Sequence, residues 1–420
     1  MNDTKVFVII IIISTAISFE ITPIREIGGN IRLIEFDHEL NTYVATYEES
    51  NARLYKLDPE KNVLWRYYIE GNVEKILINT KNDVYLFLTS DDNISINIIE
   101  NGTLDIVKID ISIPPALSAI LDNDDNLIYG GGDFGMMILR PGENESIAIG
   151  NIENFQVYGP ETEIVDKDGN VYLGGIIKGT IDNEFVLITK EEMQEDIPQS
   201  KIVEGVLENP TSEFVQEILL NDKGEIFLST LDMLSPVATI QKIFNGTRIT
   251  LLNDTDYQNH HGYVANDKVV YTSSVNLFNL CIFRILTSDY EFIPIMNLQN
   301  ATVDACRSLQ FESDEKGNVY MGSLYVLDSS PLEILYNGEL ESFGVHFNVD
   351  DINIMSILLD KNNTLWVLSY EKGLFYVEEG AVNATKVQDS ENLHLVNMRK
   401  NKNNNDIFLY SRNDLYVISD

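Results

Sequence analysis

Only two cysteines, Cys281 and Cys306, occur in 420 residues. A scaffold stapled by several disulfides is excluded, and without CxxC spacing so is a cysteine-rich zinc site. Basic residues are scarce as well: 29 Lys and Arg stand against 66 Asp and Glu, a formal net charge of −37. Phosphate backbones are bound by clustered Lys and Arg, so nucleic acid is not an expected partner. Anionic membrane surfaces are disfavoured for the same reason. The plain consequence of such a charge is solubility through mutual repulsion, and the sharper one is a field that steers a cationic ligand. After the N-terminus no apolar run is long enough to span a bilayer. Helical periodicity is almost absent. The Ser nucleophile elbow and HExxH are missing, as is GxGxxG between a strand and a helix. Gly130-Gly131-Gly132 follow a strand with no helix after them and read as close packing or a bulge.

The N-terminus is an address. Lys5 precedes the apolar run Val6 to Ile13, and Ala16-Ile17-Ser18 supply small residues at the −3 and −1 positions. This is the pattern of a secretory signal peptide over 1–18, with the mature, extracellular chain starting at Phe19. Sequons agree with secretion, at Asn93, Asn101, Asn144, Asn245, Asn253, Asn300, Asn362 and Asn383. In an oxidising compartment the cysteine pair suggests one disulfide, Cys281 to Cys306, with two buried free thiols as the alternative.

A repeat is what the chain has in abundance. In Asp166-Lys167-Asp168-Gly169-Asn170-Val171-Tyr172-Leu173 a polar turn gives way to strand formers. Counted by its aromatic, the series runs Tyr43, Tyr85, Tyr129, Tyr172, Phe227, Tyr271, Tyr320, Trp366, Phe408. The step after Tyr172 is the longest and carries the acidic insertion Lys190 to Asp196. Each repeat reads as four strands, in the second Val73 to Asn79, Asp83 to Thr89, Ile94 to Glu100 and Thr103 to Ile111. Asn101-Gly102, Asn245-Gly246 and Asn337-Gly338 mark third-to-fourth hairpins. Four-stranded antiparallel repeats of this length are propeller blades. The expectation is an all-β chain in which 19–420 forms a single β-propeller of nine blades. Eight is the count if one weak repeat is a bent extension of its neighbour. The last repeat, Leu393 to Asn401, Asp406 to Tyr410 and Asp414 to Ser419, lacks a fourth strand. The mature N-terminus, Phe19 to Ile27, is expected to supply it and close the ring, removing two exposed sheet edges.

Leu359-Asp360-Lys361-Asn362-Asn363-Thr364-Leu365-Trp366-Val367, followed by Lys372-Gly373-Leu374-Phe375, resembles the sensor-type propeller repeat. Asp166 to Gly174 resembles NHL and regucalcin-like blades. The rhythm Ile120 to Gly132, in a chain with a signal peptide, also resembles the secreted ommochrome-binding proteins of arthropods. These blade motifs are structural and shared by many functions. The last resemblance implies a carrier of a small aromatic pigment, with no pigment-binding residue to transfer.

Asp166-x-Asp168-Gly169-Asn170 and Asp122-x-Asp124-x-Asn126 look like half a calcium loop. The twelfth positions, Ile177 and Asp133, are not the Glu an EF-hand needs, so both read as turns. His260-His261 are expected just before the first strand of repeat six. Adjacent strand residues point to opposite faces, which argues against one shared metal. Asp304 and Arg307 flank Cys306 at the equivalent place in repeat seven. Successive strands alternate direction, so first-to-second and third-to-fourth turns share one end of the ring. Blade-to-blade loops share the other with second-to-third loops. Function sits on longer loops over a rigid scaffold, so the ligand-binding candidates are Glu163, Tyr257, His260, His261, Asp304 and Arg307 on the blade-to-blade face. The leading expectation is a monomeric, secreted, non-enzymatic binding protein for a small aromatic ligand or an extracellular protein, with no cofactor and no metal. The alternatives are a metal-dependent lactonase of regucalcin-like type and a secreted protein-interaction platform of the saliva or venom type.

Overall fold

The turn at Asp37 shows why each repeat folds as it does. Asp37 Oδ1 accepts from the backbone N–H groups of Glu39 (3.0 Å) and Asn41 (2.8 Å). Its Oδ2 accepts from Asn41 Nδ2 (2.8 Å) and the Tyr43 hydroxyl (3.3 Å). One carboxylate thus satisfies the turn and anchors the aromatic of the next strand. The turn contacts recur at Asp122, Asp166 and Asp314, and at Asp314 the Tyr320 hydroxyl is anchored too, at 3.3 Å. At Asn79 and Asn221 the acid and amide are exchanged. At Asp360 the anchored group is Trp366 Nε1, 3.1 Å away. The carboxylates of the two calcium-like loops are therefore engaged by their own turns.

The computed structural model describes residues 21–48, 51–90, 93–102, 106–111, 118–130, 135–150, 155–157, 163–177, 183–195, 198–202, 213–232, 238–244, 247–254, 259–265, 268–275, 280–295, 301–302, 310–324, 331–336 and 342–418. They build nine antiparallel sheets, the blades of a β-propeller. Blade 1 takes Asn30–Phe36, Thr42–Glu48, Asn51–Leu57 and Val63–Glu70 in that spatial order. Blades 2 to 8 span 72–111, 118–148, 155–202, 213–254, 259–302, 310–344 and 354–386. Blade 9 holds Asn397–Lys400, Ile407–Tyr410 and Leu415–Ile418, with Ile21–Ile24 as its outermost strand. The register there runs from Ile21 opposite Ile418 to Ile24 opposite Leu415.

Apolar clusters lie between neighbouring blades. One joins Val171, Leu173 and Val186 of blade 4 to Ile128 and Ile138 of blade 3. Another joins Ile354 and Val367 of blade 8 to Tyr320 and Ile334 of blade 7. Both faces of a blade are therefore covered, which is why second strands such as Val84-Tyr85-Leu86-Phe87-Leu88 are apolar without alternation. Blades 9 and 1 meet in the same way: Phe408, Tyr410 and Leu415 pack with Ile34, Val44 and Tyr55. Ile31 N donates to Arg412 O at 3.0 Å, and Lys61 pairs with Asp406 at 2.5 Å.

The first-to-second turns are also tied from blade to blade. His38 N donates to Asn82 Oδ1 (3.0 Å), Thr80 N to Asp125 Oδ1 (2.9 Å) and Asn123 Nδ2 to the Asp166 carbonyl (3.1 Å). Asn403 Nδ2 reaches the Asp37 carbonyl (3.0 Å) and links the last turn to the first. Gly102 needs its missing Cβ. At φ +61° it sits against Lys56 Nζ and the Tyr43 hydroxyl, while its carbonyl accepts from Trp65 Nε1 at 3.1 Å.

Two local expectations are corrected, and two blades divide one of their four strands. His260 and His261 lie inside the first strand of blade 6, Asn259–Ala265, opposite Ser273 and Thr272. In blade 4 the innermost strand comes in two pieces, Phe155–Val157 and Glu163–Val165, both paired to Val171–Ile177. In blade 6 the outermost strand is divided likewise, Phe292–Pro294 and Ala301–Thr302 sharing the partner Leu280–Leu286. The first strand of blade 9 is Asn397–Lys400 only, because Ser390–Leu393 forms a 3-10 turn. The acidic insertion is likewise a 3-10 turn, Glu192–Gln194, with Met193 buried in the core shared by blades 3 and 4. Residues 1–20 and Cys306 lie outside the described residues, and with them the signal peptide and the disulfide.

Blades 5 and 6 are joined by Lys242, Glu225 and Tyr290. The ammonium lies 2.5 Å from Glu225 and 3.9 Å from the Tyr290 ring centroid, and the Tyr290 hydroxyl donates to Glu225 at 2.7 Å. Burial alone raises the Glu225 carboxyl, but hydrogen bonds from Lys242, Tyr290 and Asn221 outweigh it and hold it at about 2. A depressed folded-state value stabilises above the ordinary 4.5 and is lost as pH falls toward 2. Glu225→Gln is expected to melt about 2–4 °C below the parent at pH 6. The gap should close between pH 4.5 and pH 2, measured by thermal unfolding across that range.

Candidate functional site

First strands of most consecutive blades contact one another, so they form the inner wall of the ring. Opposite each marker aromatic, on the first strand, most blades carry an uncharged residue. These are Leu77, Ala119, Ile164, Leu219, Gly262 and Leu358, opposite Tyr85, Tyr129, Tyr172, Phe227, Tyr271 and Trp366. Three blades break the rule with a charge: Glu35 opposite Tyr43, Glu312 opposite Tyr320 and Arg399 opposite Phe408. They belong to blades 1, 7 and 9, a single sector of the wall.

Lys400 and Lys402 join this sector from blade 9 and its turn. Lys400 Nζ donates to the Leu359 carbonyl of blade 8 at 2.7 Å. Burial pushes the Glu312 carboxyl up to about 7 against the pull of Lys400 and Lys402. Glu35 is also raised by burial, with Arg399, Lys402 and Lys75 opposing. Among the described residues, no ion pair within 4 Å forms between these carboxylates and the cations that act on them. Opposite charges are held in mutual range without closing on each other.

The space between them is a cavity of about 570 Å³. Its wall comprises Gln310 and Glu312 of blade 7, Ser356 to Leu359 of blade 8, and Asn397 to Lys400 with Lys402 and Asn405 of blade 9. That volume is within the range of small-molecule sites. None of these lining side chains is aromatic.

The opposite sector is closed. Glu163 accepts from Lys75 Nζ at 3.2 Å and from the Ser118 hydroxyl, and Lys75 also reaches the Ala119 carbonyl. These contacts tie blades 2, 3 and 4 along the wall, and the Glu163 side chain is only 4% exposed. Of the other residues singled out in the sequence, Tyr257, Asp304 and Arg307 lie outside the described residues. His260 and His261 are placed by their backbone alone. Asn101, Asn144, Asn253, Asn362 and Asn383 are exposed, as a glycan acceptor must be. Asn245 and Asn300 lie outside the described residues, and Asn93 begins the third strand of blade 2. Among the described residues there is no group of three His, Cys, Asp or Glu that could hold a metal, and no helix long and apolar enough to cross a membrane.

No protein-family model and no curated protein matches the chain. Solved structures give distant likenesses. The YCF48 structure bound to D1 peptide is 9% identical with a TM-score of 0.41, over 97% of this chain and 96% of that one. A streptogramin B lyase is 9% identical with a TM-score of 0.39, over 84% and 95%. The extracellular domain of the one-component system BT4673 from B. thetaiotaomicron is 10% identical with a TM-score of 0.36, over 94% of this chain. The chain spans 57% of the length of that last protein. At such identities and scores no function transfers; the fold rests on the strand pairing itself.

Proposed function

We propose that the chain is a secreted, non-enzymatic binding protein whose ligand sits on the inner wall of the ring at blades 7, 8 and 9. The observation that carries the reading is the cavity lined by Glu312, Arg399, Lys400 and Lys402 in a protein of net charge −37. Glu312 is half-buried and Arg399 and Lys402 are exposed to the cavity, and charges that form no ion pair with one another collect where something else is to be bound. The resemblance to ommochrome carriers implies a small aromatic ligand. This wall would recognise the polar end of such a molecule rather than stack on its ring. The lactonase alternative needs carboxylates around a divalent ion. The sector instead brings three cations to two carboxylates, which repels one.

The interaction-platform reading is favoured by a separate place, the outer strand of blade 1. There Leu64 and Tyr68 are exposed, with Arg53 and Arg66 against the Tyr68 ring at 5.3 and 5.7 Å. Tyr and Arg are the side chains that anchor protein interfaces.

Native mass spectrometry of the protein from the cells that make it decides between them. A small non-covalent adduct is expected. Gln310→Trp, which fills the cavity from an exposed position, should abolish it without lowering the melting temperature. An adduct that survives this substitution, or a protein without adduct that captures a macromolecule through Tyr68, would overturn the cavity reading.

A further inference from the structure

The cavity has a polarity that its volume alone does not reveal. Arg399 and Lys402 approach from blade 9, and Glu312 faces them from blade 7. Glu35, from blade 1, feels the same two cations. Each of these groups departs from the repeat or lies beside one that does. Their placement is not a by-product of folding, since Leu77, Ile164, Leu219 and Leu358 serve the same strand position elsewhere. Among the described residues no ion pair within 4 Å closes between the two signs.

Resting on the binding-protein reading above, we propose that the ligand is a small zwitterion. Its carboxylate lies between Arg399 and Lys402, and its ammonium points to Glu312. A purely anionic ligand would leave the half-buried Glu312 carboxylate facing it, and a purely cationic one would meet Arg399, Lys400 and Lys402. Only a ligand carrying both signs satisfies both ends of the space. A leftover charge on either side costs affinity rather than merely failing to add to it.

The test uses three matched probes on the full secreted protein by calorimetry: phenylalanine, N-acetylphenylalanine, which lacks the ammonium, and phenethylamine, which lacks the carboxylate. Phenylalanine should bind at least about tenfold more tightly than either analogue. Glu312→Gln should remove the penalty on N-acetylphenylalanine and leave that on phenethylamine. Lys402→Met should do the reverse. The Glu312 carboxyl, pushed up to about 7 by burial, faces Lys400 and Lys402 from blade 9, with Arg399 on the same cavity wall. Phenylalanine affinity should therefore rise between pH 6 and pH 8 in the parent and stay flat in Glu312→Gln. Equal binding of all three probes, abolished by Gln310→Trp, overturns the zwitterion assignment and leaves the cavity reading standing. No binding of any probe below about 1 mM also overturns the assignment, and the native adduct then judges the cavity reading separately. Zwitterion binding untouched by Gln310→Trp removes both.

Discussion

A protein lacking residues 1–27 is expected to lose most of its stability and to aggregate. The deletion removes the outermost strand of blade 9 and four residue pairs with Leu415–Ile418. It also strips Ile24 and Ile27 from the cluster in which blades 9 and 1 meet. Burying an aliphatic side chain is worth about 1.5–3 kcal/mol. Two of them with the lost ladder approach about 5 kcal/mol, a large share of the 5–15 kcal/mol that holds a typical domain together. Leu415 and Val417 become a bare apolar edge of the kind that recruits other chains. Denaturant titration together with size-exclusion chromatography measures both effects. A monomeric deletion protein with an unchanged midpoint would show that closure does not depend on this strand.

Asp37→Ala is expected to cost about 3–5 kcal/mol, the range for stranding the partner of a buried ion. Asp37 is fully buried and accepts four hydrogen bonds within its own turn. The buried Lys56 ammonium lies 3.9 Å away and would lose its counter-charge. Burial and the adjacent Asp37 carboxylate together raise the Tyr43 hydroxyl, so Tyr43 stays a neutral donor. Asp37→Asn keeps the shape and one acceptor oxygen, enough for the Glu39 and Asn41 backbone N–H groups, and should cost less than the alanine variant. Exposed Asp58 is the control: it makes the same contacts to Asn62 at 2.8 and 2.9 Å. Its alanine variant should fall within about 1 kcal/mol of the parent. Urea midpoints of the four proteins test this ordering.

The architecture was legible because one local device is repeated. An Asp or Asn opens the turn, a polar partner follows four residues later, and six residues on an aromatic is clamped to the first, as in Asp37, Asn41 and Tyr43. All of that is short-range, so the period shows in the sequence even in blades that lack the clamp, as where Ile128 stands six residues after Asp122. The split strands of blades 4 and 6 were not legible. Whether Phe155–Val157 or Ala301–Thr302 finds a partner depends on residues about 20 positions away rather than on local pattern. The strand position of His260 and His261 was not legible for a related reason: their pairing with Ser273 and Thr272 extends the hairpin beyond its apolar core.

The cavity lay between these cases. Glu35, Glu312 and Arg399 follow no motif and sit far apart in sequence. Their signal is an exception, a charge where the repeat places Leu, Ile or a small residue. It appears only once every blade is aligned on its aromatic. Reasoning from loops directed attention to the blade-to-blade face, while the charges that depart from the repeat are on strands of the wall.

The outermost strand of blade 9 is made long before the rest of that blade. Ile21–Ile24 must wait, unpaired, until Leu415–Ile418 leaves the ribosome. Every other blade can assemble from its own hairpins as synthesis proceeds, whereas this one is delayed by nearly the whole chain. The interval is a window of vulnerability during biogenesis. A helper that shields the waiting segment, or slows its misuse by neighbouring chains, would govern yield more than any contact in the finished ring.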